Sequence, residues 1–192
     1  MNTKTKKLST VSMVLCGMFA ALVAIGAFIQ IPVPYMDYFT LQFFFVLLAG
    51  LILGADKGAI SVGCYVLLGL VGVPIFAAGG GIGYIFRPSF GYLVGFIVSA
   101  YVTGKVCEKL KASYKNYLLA CLAGFVVTYA IGIVYKFIIL NFYAHTPATL
   151  GVIFLSCFPL DMPGDFVLCL LAAGVGLRLR KRGLYLRARR RT

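Results

Sequence analysis

The stretch Ser9–Gln30 reads STVSMVLCGMFAALVAIGAFIQ and contains no charged residue. A helix needs about 20 predominantly apolar residues to cross a hydrocarbon core of about 30 Å, so this stretch predicts a membrane-spanning helix. Two prolines in the following Ile31–Pro34, IPVP, end it, because proline lacks a backbone N–H and its ring blocks continuation of the helix. A small-residue cleavage pattern does not follow, so a removable signal peptide is not predicted.

Outward from this stretch, the chain repeats the pattern of apolar runs closed by prolines, glycines or charges. Further helices are predicted over Phe39–Leu53, Ala59–Val73, Phe90–Val106 and Tyr117–Tyr143. The last apolar stretch, Thr149–Leu177, is broken at Pro159, Asp161 and Pro163-Gly164-Asp165. It therefore predicts a short outer segment followed by a sixth span from about Pro163.

The composition agrees with a chain that faces lipid. Of its 192 residues, 61% are hydrophobic and 12% are charged, and the mean hydropathy is +0.98. A soluble domain averages about 45–50% apolar and about 25% charged residues, so the apolar surplus exceeds what one core can bury. We predict an all-α membrane protein, one domain over residues 1–192, in which a bundle of six transmembrane helices is flanked by short basic tails at residues 1–8 and 178–192.

The positive charge predicts the orientation. The net charge is +13, and 16 of the 18 Lys and Arg fall in the two tails or in the second and fourth loops. With six spans these segments share one side, which the positive-inside rule assigns to the cytoplasm together with both termini. Basic clusters beside apolar spans attract anionic lipid headgroups. The distribution favours a multi-pass protein of a plasma membrane in contact with the lipid bilayer, and it argues against a nucleic-acid partner.

Two basic residues fall outside this count, Arg87 in the third loop and Lys136 within the fifth span. Lys136 lies about 28 Å along the helix from Tyr117, near the outer boundary. Asp165 and a glycine-dense segment that is not expected to be helical, Ala77–Tyr84 with Gly79, Gly80, Gly81 and Gly83, belong to the same outer third. Ionisable groups and irregular backbone at membrane depth are tolerated where they line a cavity. A ligand site near the outer face is therefore predicted.

Asp165 has two interpretations. It follows Pro163-Gly164 at the predicted start of the sixth helix, where a carboxylate caps free N–H groups; alternatively, it stays ionised and accepts hydrogen bonds from a ligand. Catalytic machinery is not predicted, since the chain has one histidine, five carboxylates and no P-loop sequence. The six scattered cysteines contain no CxxC pair and are interpreted as small buried hydrophobes. We predict neither enzyme activity, nor a metal, nor a cofactor.

The first helix carries small residues at helical spacing. Gly17 and Ala21 form one ridge, and Ala20 and Ala24 form a neighbouring one. Ridges of this kind let helices approach closely in lipid. They serve either packing within the bundle or docking of a partner's helices.

Several motifs, in order along the chain, resemble the BioY family, the biotin-specific substrate-binding (S) components of energy-coupling-factor (ECF) transporters. They are Ile31-Pro32-Val33-Pro34, Thr40-Leu41-Gln42-Phe43-Phe44-Phe45-Val46-Leu47-Leu48-Ala49-Gly50, Gly79-Gly80-Gly81-Ile82-Gly83-Tyr84, Pro88-Ser89-Phe90-Gly91-Tyr92 and Pro163-Gly164-Asp165. The similarity runs from about Ile31 to Leu177. It implies a six-helix S-component fold that holds biotin in an occluded pocket near the outer face.

The resemblance also implies partners and roles. A transmembrane T component and two cytoplasmic ATPases would energise import, with the small-residue face of the first helix, including Ala20 and Ala24, against the T component. Asp165 would accept from the two ureido N–H groups, and N–H groups of the glycine segment would serve the ureido carbonyl. Gln42 would belong to the same site, with the side chains of Tyr84, Phe90 and Tyr92 covering the thiophane ring.

One position departs from the family's pattern. Many members carry a lysine three residues after the aspartate of the PGD motif, and this chain has Leu168 there. Either Arg87 or Lys136 would then bind the biotin carboxylate. Arg87 is the stronger candidate by sequence, because it lies between the glycine segment and the PSFGY motif.

Three alternatives remain at the level of sequence. The chain could be an S component for another vitamin, which competition with unlabelled biotin distinguishes. It could be a carrier driven by a gradient alone, which would transport in liposomes without an ATPase. It could instead be a small membrane enzyme or scaffold acting on lipids, although that reading calls for a cluster of His, Asp, Glu or Cys that this sequence lacks.

Overall fold

The structure is a computed structural model that describes residues 9–32, 38–144, 146, 148–157 and 161–183. Its elements are α1 (Thr10–Phe28), β1 (Gln30–Pro32), β2 (Tyr38–Thr40), α2 (Gln42–Leu53), α3 (Ala55–Val71), α4 (Phe90–Lys109), α5 (Tyr114–Ile138), α6 (Leu150–Cys157) and α7 (Asp161–Lys181). A 3₁₀ helix at Ile82–Phe86 precedes α4, and a π-helical turn at Ile139–Tyr143 continues α5.

Four of the helices have the length and composition of membrane spans. Within the described residues, α1, α4, α5 with its π-helical turn, and α7 are each long and apolar enough to cross a bilayer. The apolar helix α2 has 12 residues and α3 has 17, so both are shorter than the roughly 20 residues that a perpendicular span requires. The short helix α6 occupies the position predicted for an outer segment.

A two-stranded hairpin interrupts the expected all-helical pattern. Strands β1 and β2 pair in antiparallel register, with Ile31 opposite Phe39. The prediction of a helix beginning at Phe39 was therefore wrong by three residues, and Gln30 lies in β1 rather than in the first helix. The Leu41 N–H donates to the Gly26 carbonyl oxygen at 3.1 Å, so these backbone groups pair between segments instead of within a helix.

Helix α2 is the centre of the bundle. Ten of its twelve residues are buried, and it packs against α1, α3, α4 and α7. A helix that is apolar on all sides belongs in an interior, which explains why this short helix carries no lipid-facing stripe. Its first residue, Gln42, is buried with it.

Helices α4 and α5 approach each other along small residues spaced four apart. On α4 these are Gly91, Gly95, Ser99 and Thr103, and on α5 they are Ala120, Gly124, Thr128 and Gly132. A Cβ atom added to Gly95 would lie 3.0 Å from the Thr128 carbonyl oxygen, and one added to Gly124 would lie 2.3 Å from Thr103 Oγ1. We call this contact the α4–α5 seam; it brings the backbones close enough to fix both helices.

The ends of the helices divide the bundle into two poles. The hairpin, the 3₁₀ helix and the starts of α2, α4 and α7 form what we call the hairpin pole. The opposite pole, here the basic pole, holds Lys57, Lys105, Lys109, Lys111, Lys115, Arg178, Arg180, Lys181 and Arg182. At this pole α7 remains helical through Lys181, whereas residues 1–8 and 184–192 of the predicted tails lie outside the described part of the chain.

The basic pole is held by two polar contacts between helices. Glu108 Oε1 of α4 accepts the backbone N–H of Ala55 at the start of α3, at 3.0 Å. Arg180 Nη1 of α7 donates to the Tyr117 hydroxyl of α5 at 2.8 Å, and the guanidinium carbon lies 5.8 Å from the centre of the same ring. A free helix N-terminal N–H and a buried phenol are thereby satisfied inside the bundle.

The start of α7 differs from the prediction. The helix begins at Asp161 rather than at about Pro163, so Pro163 lies in the first helical turn, where its missing N–H costs no helical hydrogen bond. Asp165 therefore lies beyond the capping position, and its interpretation as an N-terminal cap was wrong. Asp161, expected in a loop, is the first helical residue.

Candidate functional site

A cavity opens at the hairpin pole between the ends of five elements: the hairpin, α2, α4, α5 and α7. Its walls also include the segment between α3 and α4. The lining residues are Phe39, Thr40, Gln42, Phe43, Ala77, Tyr84, Ser89, Tyr92, Leu93, Phe96, Tyr129, Lys136, Asp161 and Asp165. Apolar walls with a few convergent polar groups are typical of a small-molecule site.

Asp165 is fixed by a tyrosine of the neighbouring helix. The Tyr129 hydroxyl donates to Asp165 Oδ2 at 2.8 Å. The Tyr129 ring is 5% exposed and packs edge-on against Tyr92, with ring centres 5.8 Å apart, and against Phe125 at 4.7 Å. One carboxylate oxygen is therefore held by the bundle, while a carboxylate has acceptor capacity for more than one donor.

Helix α7 comes close enough to present this carboxylate because Gly164 has no side chain. A Cβ atom at Gly164 would lie 2.5 Å from the Phe39 ring. Phe39 belongs to β2 and lines the cavity itself. The Pro163-Gly164-Asp165 motif thus combines a helix start, a close contact with the hairpin and a carboxylate in the cavity wall.

Gln42 forms a hydrogen-bonded chain across the wall. Its Nε2 donates to the Tyr65 hydroxyl of α3, which donates in turn to the Ile75 carbonyl oxygen at 3.1 Å. Thr40 Oγ1 donates to Gln42 Oε1 at 3.2 Å. A polar side chain in an apolar helix requires such partners, and this chain ties the start of α2 to the segment that follows α3.

The segment between α3 and α4 is anchored by an aromatic residue. Phe76 is 1% exposed and fills the space over Gly69, with its ring centre 5.5 Å from that of Tyr65 and 4.6 Å from that of Tyr84. Tyr84 is buried and reaches the cavity. The anchor positions both Ala77 and Tyr84 in the wall.

The four glycines predicted for the site lie in this segment but are not among the lining residues. Gly79 and Gly81 adopt positive φ, 107° and 102°, which favours glycine. Their N–H groups donate to the Phe76 and Gly69 carbonyl oxygens, and Gly80 packs against Val73. Gly83 belongs to the 3₁₀ helix, so the expectation that Ala77–Tyr84 is free of helix was wrong at its end. After the two glycines with positive φ have turned the chain, hydrogen bonds between residues three apart form the 3₁₀ helix.

Arg87 and Lys136, the two basic residues that lie apart from the basic loops and tails, occupy different places. Lys136 lines the cavity, and its ammonium makes no hydrogen bond or ion pair with the residues that the structure describes. Arg87 is exposed and is not a lining residue; its guanidinium lies 5.2 Å from the ring centre of Tyr84. Arg87 therefore contacts a residue of the cavity wall, Tyr84, without lining the cavity itself.

Of the two further aromatic residues predicted to cover the ligand, one lines the cavity and the other does not. Tyr92 lines the cavity, and its hydroxyl lies 3.1 Å from Cys157 Sγ of α6. Phe90 is buried against the Tyr135 ring, with centres 5.8 Å apart, and is not a lining residue. The structure therefore brings together Gln42, Tyr84, Tyr92, Lys136 and Asp165, and it leaves Arg87 and the glycines in the surrounding layer.

The two small-residue ridges of α1 also separate. Gly17 and Ala21 are exposed, and nothing lies within 4 Å of a Cβ atom at Gly17. Ala20 is 7% exposed and Ala24 is half-buried. Five of the six cysteines are buried as predicted, and Cys64 is exposed.

Sequence reasoning did not identify Tyr129 or Ser89 as site residues. Tyr129 resembles any other aromatic residue of an apolar span, and its partner lies 36 residues away. The four-residue spacing of the α4–α5 seam was the available signal, since it predicts which face of α5 meets α4 and hence that Tyr129 lies beside that contact.

Comparisons with known proteins identify relatives over most of the chain. The model of the BioY family matches residues 1–184. A probable biotin transporter BioY of Lysinibacillus sphaericus is 40% identical over 177 residues, which cover 92% of this chain and 90% of that protein. The biotin transporter BioY of Thermotoga maritima is 40% identical over 169 residues, covering 86% and 93%.

The fold has a match among solved structures. The crystal structure of the S-component for biotin from an ECF-type ABC transporter superposes with a TM-score of 0.79 at 25% sequence identity, covering 94% of this chain and 95% of that one. Family model, relatives and fold all extend over most of the chain. This chain belongs to the BioY family.

Proposed function

We propose that this chain is the biotin-binding S component of an ECF-type vitamin importer, and that biotin binds in the cavity at the hairpin pole. The proposal rests on one observation above all. Asp165, a carboxylate that accepts a hydrogen bond from Tyr129, and Lys136, an ammonium without a partner among the described residues, line the same cavity. The relatives named as biotin transporters support the choice of ligand, and their naming as transporters supports a role other than catalysis.

The ureido ring of biotin fits the Asp165 end of the cavity. Its two N–H groups are donors, and an ionised carboxylate that already accepts from Tyr129 retains a second oxygen for them. Hydrogen bonds to a charged group are about twice as strong as neutral ones and are shorter. Burial of this carboxylate away from water strengthens the interaction further.

The carboxylate of biotin fits the Lys136 end. Lys136 lies seven residues beyond Tyr129 on α5, or about 10 Å at the helical rise per residue. The cavity thus has an acceptor at one end and a cation at the other, which matches a molecule with a cyclic urea and a carboxylate at opposite ends. Geometry therefore favours Lys136 over Arg87 for this role, the reverse of the order that the sequence favoured, because Lys136 lines the cavity and Arg87 does not.

The middle of the ligand would contact aromatic walls. The rings of Phe43 and Phe96 stack with centres 5.8 Å apart at the cavity. Tyr84 and Tyr92 line other walls. An apolar thiophane ring and alkyl chain gain from leaving water for such surroundings.

We propose six membrane spans with both termini in the cytoplasm of a plasma membrane. The helices α2 and α3 supply the two spans that are short for a perpendicular crossing, and a bilayer accommodates a short span by local thinning. The basic residues gather at the pole opposite the cavity. Applied to this arrangement, the positive-inside rule puts the cavity on the outer side, where a nutrient is captured.

The partners would be a transmembrane T component and two cytoplasmic ATPases, since the chain has no nucleotide-binding motif of its own. The exposed ridge of Gly17 and Ala21 suits close contact with helices of the T component. Ala20 faces the bundle and so contributes through the packing of α1 rather than by direct contact.

Calorimetry of the purified protein in detergent tests the ligand and the site together. Asp165→Asn keeps the size of the side chain but removes the charge, and we expect it to weaken biotin affinity by about 100-fold, since both ureido donors lose their charged acceptor. Asp56→Asn, a carboxylate at the basic pole, is the matched control and should bind like the wild type. Undiminished binding by Asp165→Asn, or no biotin binding by the wild type, would contradict the proposal.

A further inference from the structure

Four hydroxyl oxygens are buried and have no hydrogen-bond partner among the residues that the structure describes. They belong to Ser89, Ser99, Thr103 and Thr128. A buried hydroxyl without a partner is destabilising relative to a paired one, so each such group calls for a physical explanation.

Three of the four are explained by the α4–α5 seam. The hydroxyls of Ser99 and Thr103 lie 2.6 and 2.3 Å from the position of a Cβ atom at Gly124, and the Thr128 backbone presses against Gly95. Each of these three residues is fully buried. Their small size lets the helices meet, which is the usual reason for such residues between membrane helices.

Ser89 is not explained in this way. It precedes the first residue of α4 and makes no capping hydrogen bond with that helix. It lines the cavity, unlike the other three. Its hydroxyl is a donor beside a ligand site, and none of the described residues accepts a hydrogen bond from it.

Contacts between α4 and α5 indicate that Ser89 and Lys136 lie near each other in the cavity wall. A Cβ atom at Gly91 would lie 2.3 Å from Tyr135 Cβ, and the rings of Phe90 and Tyr135 are 5.8 Å apart. These contacts put the turn that contains Ser89 beside the turn of α5 that contains Lys136. Both residues line the cavity, and within the described part of the chain neither the Ser89 hydroxyl nor the Lys136 ammonium has a hydrogen-bond acceptor. Asp165, in contrast, is held by Tyr129, about 10 Å farther along α5.

We infer that the Ser89 hydroxyl donates a hydrogen bond to the carboxylate of the bound ligand, next to the Lys136 ammonium, and so sets the preference for a free carboxylate over an ester. The inference rests on the proposed function and adds a specificity-determining residue to it. A carboxylate has acceptor sites for both donors at once, whereas an ester carries no charge and accepts more weakly.

Biotin and biotin methyl ester form the ligand pair that tests this inference by calorimetry. Ser89→Ala should weaken the binding of biotin about tenfold, the loss expected for one hydrogen bond to a charged group. The same change should leave the binding of the ester nearly unaffected, so the ratio of the two affinities falls. Ser99→Ala, which removes another unpaired buried hydroxyl away from the cavity, should change neither affinity. Ser89→Thr keeps a hydroxyl and should restore the ratio.

The outcomes distinguish a failure of the role inferred for Ser89 from a failure of the proposed function. Wild-type protein that does not bind biotin would overturn the proposed function. Wild-type protein that binds biotin, with an unchanged ratio of affinities in Ser89→Ala, would overturn the role of Ser89 alone. Melting temperatures of the variants in detergent show whether a lost affinity reflects loss of the fold, and the ester arm controls for it as well, since a misfolded cavity would lose both ligands.

Discussion

Each pole of the bundle contains a hydrogen bond between a charged side chain of α7 and a tyrosine hydroxyl of α5. At the hairpin pole, Asp165 of α7 accepts from the Tyr129 hydroxyl of α5 at 2.8 Å. At the basic pole, Arg180 of α7 donates to the Tyr117 hydroxyl of α5, also at 2.8 Å. Each contact joins a charge on one helix to a phenol on the other, and both phenols are buried.

The surroundings of the two pairs differ. The Arg180 guanidinium also lies over the Tyr117 ring and 3.9 Å from Cys107 Sγ, so the protein itself surrounds this charge. At the hairpin pole, Lys136 and Ser89 keep donors that no described residue uses. A polar contact that is complete within the protein stabilises the fold, whereas one beside unused donors marks a place for a ligand.

The glycines of the two poles should respond most differently to an added side chain. A Cβ atom at Gly104 would lie 2.4 Å from the Ala55 backbone nitrogen, and nothing lies within 4 Å of one at Gly83. Gly104→Val should lower the free energy of unfolding by about 3 kcal/mol or more, because it forces two backbones apart. Gly83→Ala should leave unfolding in detergent unchanged. A stable Gly104→Val protein would show that the basic pole is less tightly packed than the structure indicates.

Removal of the two cations should give opposite readouts. Lys136→Met should weaken biotin affinity by about 1.5–3 kcal/mol and leave the melting temperature equal or higher, since an unpaired ammonium near the bilayer is unfavourable. Arg180→Met should leave the affinity unchanged and lower the free energy of unfolding by about 1–3 kcal/mol, since it leaves the buried Tyr117 hydroxyl without its donor. The two measurements are calorimetry with biotin and thermal unfolding. If Arg87→Ala weakened binding more than Lys136→Met, the assignment of the carboxylate site would pass to Arg87.

Removal of the Tyr129 hydroxyl or of the Tyr117 hydroxyl should have the smallest effect. Tyr129→Phe should reduce biotin affinity by about 1 kcal/mol, because Asp165 loses the hydrogen bond that orients it. Tyr117→Phe should reduce stability by a similar amount and leave the affinity as it is. Equal effects of both variants on affinity would mean that the poles are not separate in function.

Much of the fold could be predicted because helices in a membrane follow local rules. An apolar run of sufficient length predicts a helix wherever it occurs, and prolines and glycines end it. The order of the helices and the short α6 followed from this reasoning. The hairpin of β1 with β2 did not, because strand pairing depends on which distant backbone groups meet. The early start of α7 was missed since Pro163 fits equally well before a helix and in its first turn.

The candidate site, like the fold, could be predicted from the sequence only in part. Asp165, Lys136, Gln42, Tyr84 and Tyr92 were predicted, and all line one cavity. The glycines were predicted to present N–H groups to the ligand, but Gly79 and Gly81 donate to the chain itself. Tyr129 was missed because its role comes from Asp165, on another helix.

The sequence by itself determined that this chain spans a membrane, which segments gather at the positively charged end of the bundle, and which few ionisable residues lie apart from that charge. These properties depend on composition and on distance along the chain, and a bilayer acts on them directly. The tertiary structure alone decided which of those residues face one another. Helix packing placed Lys136 and Ser89 in the cavity wall and left Arg87 outside it, and a rotation of α5 by a single residue would have moved Lys136 to another face.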